Sequence, residues 1–127
     1  MVNVNVPRHG GRLFWALRHY ADSDVCDLVL TTGGTGFSPD DVTPEAARAV
    51  IDREAPGIAE AMRAASRPHT DKWMLSRAVA GIRKRTLIIT FPGSPKSIGQ
   101  IGQEIGPALP HAIALLNRDP TGHSHGG

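Results

Sequence analysis

The apolar positions of this chain change period along its length, and the change outlines an alternating α/β fold. Val2, Val4 and Val6 alternate with Asn3 and Asn5, the pattern of a short edge strand. After Gly10-Gly11, the residues Leu13, Phe14, Leu17, Tyr20 and Ala21 recur at helical spacing to about Asp22, with Trp15 off the stripe. Residues 27–32 form a continuous apolar run ending at Gly33-Gly34, which suits a strand covered on both faces in a parallel sheet. Thr43-Pro44-Glu45 opens a helix with Thr43 at the N-cap and Pro44 at its first position, and Ala46, Ala47, Val50 and Ile51 make its apolar face. Ala55-Pro56-Gly57 starts another helix, carrying Ile58, Met62 and Ala65. Around Leu75-Ser76-Arg77 the pattern predicts a short helical turn and then extended chain. Residues 86–91 read as a buried β-rich strand. It ends in Pro92-Gly93-Ser94-Pro95, where Ser94 can cap a helix striped by Ile98, Ile101 and Ile105. Gly106-Pro107 interrupts before a last helix with Leu109, Ala112, Ile113 and Leu116. Such strand–loop–helix units predict a three-layer α/β/α fold with a mostly parallel sheet, one domain over residues 1–118 and a flexible polar tail over 119–127.

Composition narrows the class. The 127 residues are 40% hydrophobic and 20% charged, which argues against disorder. No apolar run approaches the roughly 18 residues of a membrane span, and the first residues lack the features of a signal peptide. The single cysteine, Cys26, fits a reducing cytoplasm. Fourteen basic against twelve acidic side chains leave a net charge of +2. The one tight basic cluster, Arg83-Lys84-Arg85, has no interleaved aromatics, so a small anionic ligand is expected rather than nucleic acid.

The candidate chemistry lies in the two loops that follow the apolar strands at 27–32 and 86–91, where open α/β sheets bind ligands. In Gly33-Gly34-Thr35-Gly36-Phe37-Ser38-Pro39-Asp40-Asp41, glycines allow close backbone approach and successive N–H groups can form an anion nest. Aspartates beside a phosphate repel it unless a divalent cation lies between, which suggests Mg²⁺. The same residues would also make a plain glycine turn with aspartates solvating a helix entrance, and local chemistry leaves both readings open. The second loop, Pro92-Gly93-Ser94-Pro95-Lys96-Ser97, offers hydroxyls, a helix start and a lysine suited to phosphate. Neither a Walker A loop nor G-x-G-x-x-G is present. Ser76 lacks a nucleophile elbow, Cys26 reads as a small core residue, His9, His19, His69 and His111 have no ligand spacing, and His123-Ser124-His125 could catch a metal adventitiously but reads first as part of a disordered tail.

Residues 27–46, with Thr-Thr-Gly-Gly-Thr-Gly-Phe-Ser-Pro-Asp-Asp-Val-Thr-Pro-Glu at their centre, resemble the signature of the MoaB/Mog family of molybdenum cofactor biosynthesis. Leu75-Ser76-Arg77, Gly81-Ile82-Arg83 and the stretch ending in Phe91-Pro92-Gly93-Ser94-Pro95-Lys96-Ser97-Ile98 resemble its later blocks, in order. The resemblance implies an α/β/α domain, usually a homotrimer in the cytoplasm, that binds molybdopterin and transfers AMP from Mg-ATP to its terminal phosphate. A partner enzyme would then insert molybdate. On these positions Gly33, Gly34, Thr35 and Gly36 would hold phosphate through backbone N–H. Asp41, before Val-Thr-Pro, would bind Mg²⁺ or serve the transfer as the catalytic residue, and Pro92, Gly93, Ser94 and Lys96 would line the opposite wall.

The resemblance also implies a central strand and a Ser-Asp turn upstream, which these residues do not contain, and an Asp where Arg8 follows Val6-Pro7. An N-terminally shortened domain is therefore expected. The alternative is a non-catalytic or truncated paralogue that only binds molybdopterin or assembles with full-length subunits. The related competence/damage-inducible family shares a Gly-Gly-x-Gly…Asp-Asp loop, but Thr35 and Gly-Ser-Pro-Lys-Ser favour the first family.

Overall fold

A computed structural model describes residues 5–6 and 11–118. The expected strand through Val2 and Val4, Arg8, and the polar tail over 119–127 lie outside the described residues. The element order is α1 (Arg12–Asp22), β1 (Leu28–Thr32), α2 (Thr43–Val50), β2 (Arg53–Glu54), α3 (Pro56–Ser66), β3 (Ala80–Arg83), β4 (Thr86–Phe91), α4 (Pro95–Ile105) and α5 (Leu109–Leu116). Short 3₁₀ turns at Trp73–Leu75 and Gly106–Ala108 precede β3 and α5.

The sheet order is β1-β4-β3-β2. Side chains of β4 alternate between two cores. Leu87, Ile89 and Phe91 join Met62, Ala78, Ala80, Ile101 and Ile105 beneath α3, α4 and α5. Ile88 points the other way, joining Leu17, Ala21, Ala47, Val50 and Val79 beneath α1 and α2. Helices thus cover both faces, the expected three layers, and every residue of β4 is buried. Among the described residues no helix is long and apolar enough to cross a membrane.

The sheet departs from the mostly parallel arrangement expected. Only β1 and β4 run parallel, while β3 pairs antiparallel with both β4 and β2. The cause is local. Arg83 and Thr86 are paired across a two-residue turn, where Lys84 takes a positive φ of 54°, and a turn that short can only return the chain antiparallel. The pair Arg53–Glu54 has no hydrophobic alternation, so β2 left no signal in the sequence. A second correction concerns β1. Its apolar run suggested burial on both faces, but β1 is an outer strand of the described sheet and Leu30 is 49% exposed. Thr43 differs as well: Val42 holds the cap position of α2, and the Thr43 hydroxyl donates instead to the Gly33 carbonyl at 3.1 Å.

Candidate functional site

Parallel pairing sets Thr32 of β1 against Phe91 of β4, so the loops after both strands leave from one edge of the sheet. The Gly33 amide donates to the Phe91 carbonyl at 2.9 Å and joins the two loops at their base. A Cβ added at Gly93 would sit 3.5 Å from Gly33 Cα, an ordinary contact. Above this junction opens a cavity of about 510 Å³. Gly33 through Phe37 and Asp41 form one wall, and Pro92, Gly93, Ser94 and Ser97 form the second. Met62, Ser66, Lys72, Trp73 and Ser76, from α3 and the chain that follows it, form the third.

The glycine loop has a defined front and back. Gly33 and Gly34 have φ of 90° and 72°, a left-handed backbone that side chains rarely adopt. The carbonyl of Gly33 accepts from the Thr43 hydroxyl and that of Gly34 from the Thr43 amide at 3.1 Å. The carbonyl of Thr35 accepts from the Arg77 amide at 2.8 Å, and that of Gly36 from Arg77 Nε at 2.7 Å. Four consecutive carbonyls are therefore held from behind. In a trans peptide the N–H opposes the C=O, so the amides of Gly34, Thr35, Gly36 and Phe37 face away from Thr43 and Arg77. None of the four donates to another described residue, and all four residues line the cavity. Such a row of free amides is an anion-binding surface.

Asp41 closes this loop. Its Oδ2 accepts from the Ser38 amide at 3.0 Å, and its own amide donates to the Ser38 carbonyl at 2.9 Å. A Cβ on Gly36 would lie 2.8 Å from that same Oδ2, so glycine keeps the carboxylate close to the row of amides. Asp40 is exposed and outside the cavity wall. Among the described residues no three His, Cys, Asp or Glu side chains gather as a metal cluster. One carboxylate beside a row of free amides could hold Mg²⁺ only together with other ligands, since that ion commonly takes one or two carboxylates and completes its shell with water and substrate phosphates.

On the opposite wall Ser94 caps α4, its Oγ accepting from the Ser97 amide at 3.5 Å, and directs the positive end of an eleven-residue helix toward the cavity. Lys96 is exposed and is not among the cavity's lining residues, where Ser97 stands instead. Sequence reading missed Lys72 and Trp73, whose ring lies 5.3 Å below the Arg67 guanidinium. No periodicity marks that stretch. A basic–aromatic pair in an otherwise polar loop was the only signal. Cys26, read from the sequence as a small core residue, is only half-buried and joins neither core cluster; its Sγ donates to the Tyr20 carbonyl at 3.6 Å, and burial raises its thiol pKa.

Comparison with known proteins places these features in a wider set. A family model described as a probable molybdopterin binding domain matches residues 9–111. The chain is 54% identical over 93 residues to gephyrin of Dictyostelium discoideum, covering 73% of this chain and 13% of that protein. It is 45% identical over 95 residues to a molybdopterin adenylyltransferase of Helicobacter pylori, covering 75% of this chain and 54% of the other. It therefore spans about half the length of that enzyme. Among solved structures, the molybdopterin biosynthesis enzyme MoaB from Thermus thermophilus superposes with a TM-score of 0.81 at 46% identity, covering 90% of this chain and 72% of that one.

Proposed function

Because this chain belongs to the MoaB/Mog family of molybdenum cofactor biosynthesis proteins, we propose that its cavity binds molybdopterin and ATP and transfers AMP to the pterin's terminal phosphate. An oxygen of that phosphate attacks the α-phosphorus of ATP. A new P–O bond forms, the bond to the bridging β-phosphate oxygen breaks, and pyrophosphate leaves with the electron pair. The protein's task in such a reaction is mostly positioning and charge neutralisation. The four free amides from Gly34 to Phe37 carry the reading, since they supply hydrogen-bond donors for phosphate oxygens without a competing acceptor. Gly33 and the Pro92-Gly93-Ser94 turn set the floor and opposite wall of the cavity. Lys96, on the first turn of α4, adds a mobile positive charge outside the lining. Asp41 would hold Mg²⁺ jointly with the bound phosphates, and the ion's chemistry there is neutralisation of charge on the transferring group.

The test is release of pyrophosphate from ATP in the presence of molybdopterin and Mg²⁺. Asp41→Asn is expected to lower turnover by about tenfold or more with little change in pterin affinity, and Asp40→Asn to do much less. Chelation of the metal should abolish turnover. Equal loss in the two variants would make the pair a local electrostatic cluster only, and no loss in either would remove Asp41 from the mechanism.

A second reading, a non-catalytic subunit that binds molybdopterin or assembles with longer copies, draws on β1. Leu30 on that outer strand and Val25 in the chain before it are exposed, and Thr31 Oγ1 is buried without a partner among the described residues. Molybdopterin binding by calorimetry without pyrophosphate release would favour it. The catalytic reading takes the chain as one subunit of a cytoplasmic homotrimer that passes its product to a molybdate-inserting enzyme. Exposed apolar surface at Trp15, Val25 and Leu30 is consistent with such assembly.

A further inference from the structure

An arginine beside a phosphate-binding loop is ordinarily read as a direct ligand of the anion. Here Arg77 is not among the residues that line the cavity, although its neighbours Leu75 and Ser76 are. Its guanidinium approaches the glycine loop from behind. Nε donates to the Gly36 carbonyl at 2.7 Å and one terminal nitrogen to the Asp41 carbonyl at 2.6 Å. The remaining donors engage Glu45 in a two-pronged ion pair at 2.7 and 3.2 Å. The Glu45 carboxylate thus neutralises the cation on the side away from the loop, and each partner holds the other in its charged form.

We infer that Arg77 is a positioning residue of the anion site. It grips the carbonyl face of the loop, so that the Gly36 and Phe37 amides and the Asp41 carboxylate are presented to the ligand at fixed orientation. Three observations carry this. The guanidinium reaches two loop carbonyls that frame the segment from Gly36 to Asp41. The Arg77 backbone amide holds a third, that of Thr35, at 2.8 Å. Glu45 fixes the plane of the fork from the first turn of α2, the helix that also supplies Thr43 to the carbonyls of Gly33 and Gly34. Donation to a carbonyl also polarises its peptide unit and strengthens the N–H on the far side as a donor. The residue therefore acts on the ligand through backbone, not by its own charge. The inference rests on the phosphate reading of the loop, but its first readout needs no ligand.

Arg77→Lys separates orientation from charge, because lysine keeps the cation but has one point-like donor group in place of a planar fork. In the full chain without ligand, ¹⁵N relaxation should show the Phe37 amide, whose peptide the guanidinium holds, rigid in the wild type and mobile in R77K, while the Gly36 amide, whose peptide is held by the backbone of residue 77, changes less. Amides of β4 should be unchanged, and the melting midpoint should be nearly so. Titration with inorganic pyrophosphate, followed by the amide resonances of Gly34 to Phe37, should show affinity reduced roughly tenfold or more in R77K, the size of losing a hydrogen bond to a charged group. Unchanged loop order together with unchanged pyrophosphate affinity in R77K would overturn the inference, and so would tight binding despite a mobile loop. If pyrophosphate moves none of these amides in the wild type, the phosphate reading fails, while loop order still decides whether Arg77 positions the backbone.

Discussion

Gly34 and Gly93 stand on facing walls of the cavity, yet the structure assigns them different constraints. A Cβ on Gly34 would collide with the Thr43 hydroxyl, and its φ of 72° is strained for any side chain. The expectation that a side chain there blocks ligand approach is thus replaced by one in which it displaces the loop from α2. Gly34→Ala should destabilise the fold by about 1–2 kcal/mol from backbone strain alone and weaken pyrophosphate binding with it. Gly93→Ala meets only an ordinary contact and should leave stability near that of the wild type. Thermal melts of the two variants check this, and equal destabilisation would contradict it. The glycine loop and Asp41 were legible in the sequence as a pattern of residue types. The roles of Thr43 and Arg77 were not, because both work through backbone carbonyls, and hydrogen bonds over 10 positions for Thr43 and over 36 to 41 for the Arg77 side chain leave no periodic trace.

Among the elements, those that bury one regular stripe were readable. The stripe of Ile98, Ile101 and Ile105 and the cap at Ser94 give α4 as expected, and the six buried residues of β4 match the β-rich run at 86–91, with Thr86 and Thr90 buried among the apolar side chains. β1 shows the limit of that logic. An apolar run reports the composition of a strand and not the presence of a neighbour, so a strand at the edge of the described sheet reads like an interior one. Its bonds to β4 run through Asp27 at one end and Gly33 at the other, and by the alternation of a parallel pair the backbone groups of Leu28, Leu30 and Thr32 face outward. An open edge with an exposed Leu30 favours association. Leu30→Lys should therefore lower the fraction of aggregated or oligomeric protein in light scattering at fixed concentration. An unchanged distribution would mean that this edge makes no intermolecular contact.

At the scale of the molecule, charge ties the two helices of one face to the end of the sheet. Asp22, at the end of α1, accepts from Arg83 Nε at 2.7 Å and from Lys84 Nζ at 3.2 Å, both on the turn between β3 and β4. Arg83 also donates to the Val50 carbonyl at the end of α2. The Arg83 hydrogen bond, with help from Lys84, holds the Asp22 carboxyl well below its ordinary value of 3.8. A lowered folded-state value means that the unfolded chain binds more protons in acid. The stabilisation is therefore present above about pH 4 and is lost as pH falls toward the folded-state value. Glu45, lowered by Arg77, works in the same direction. The melting midpoint should decline below about pH 4, and Asp22→Asn should flatten that decline; identical pH profiles would contradict the assignment.

The two loops that face each other across the cavity grow from strands already bonded side by side, and the Gly33–Phe91 bond extends that pairing one step into the loops. The jaws are set in one bed. Adjacent strands lie about 4.8 Å apart, so the width of the opening at its base is a constant of the sheet and not the outcome of a hinge. A gap of this kind works as a gauge. It fixes the spacing of the floor on which a guest rests, and drift on the outer helices can change what surrounds the opening without widening its base.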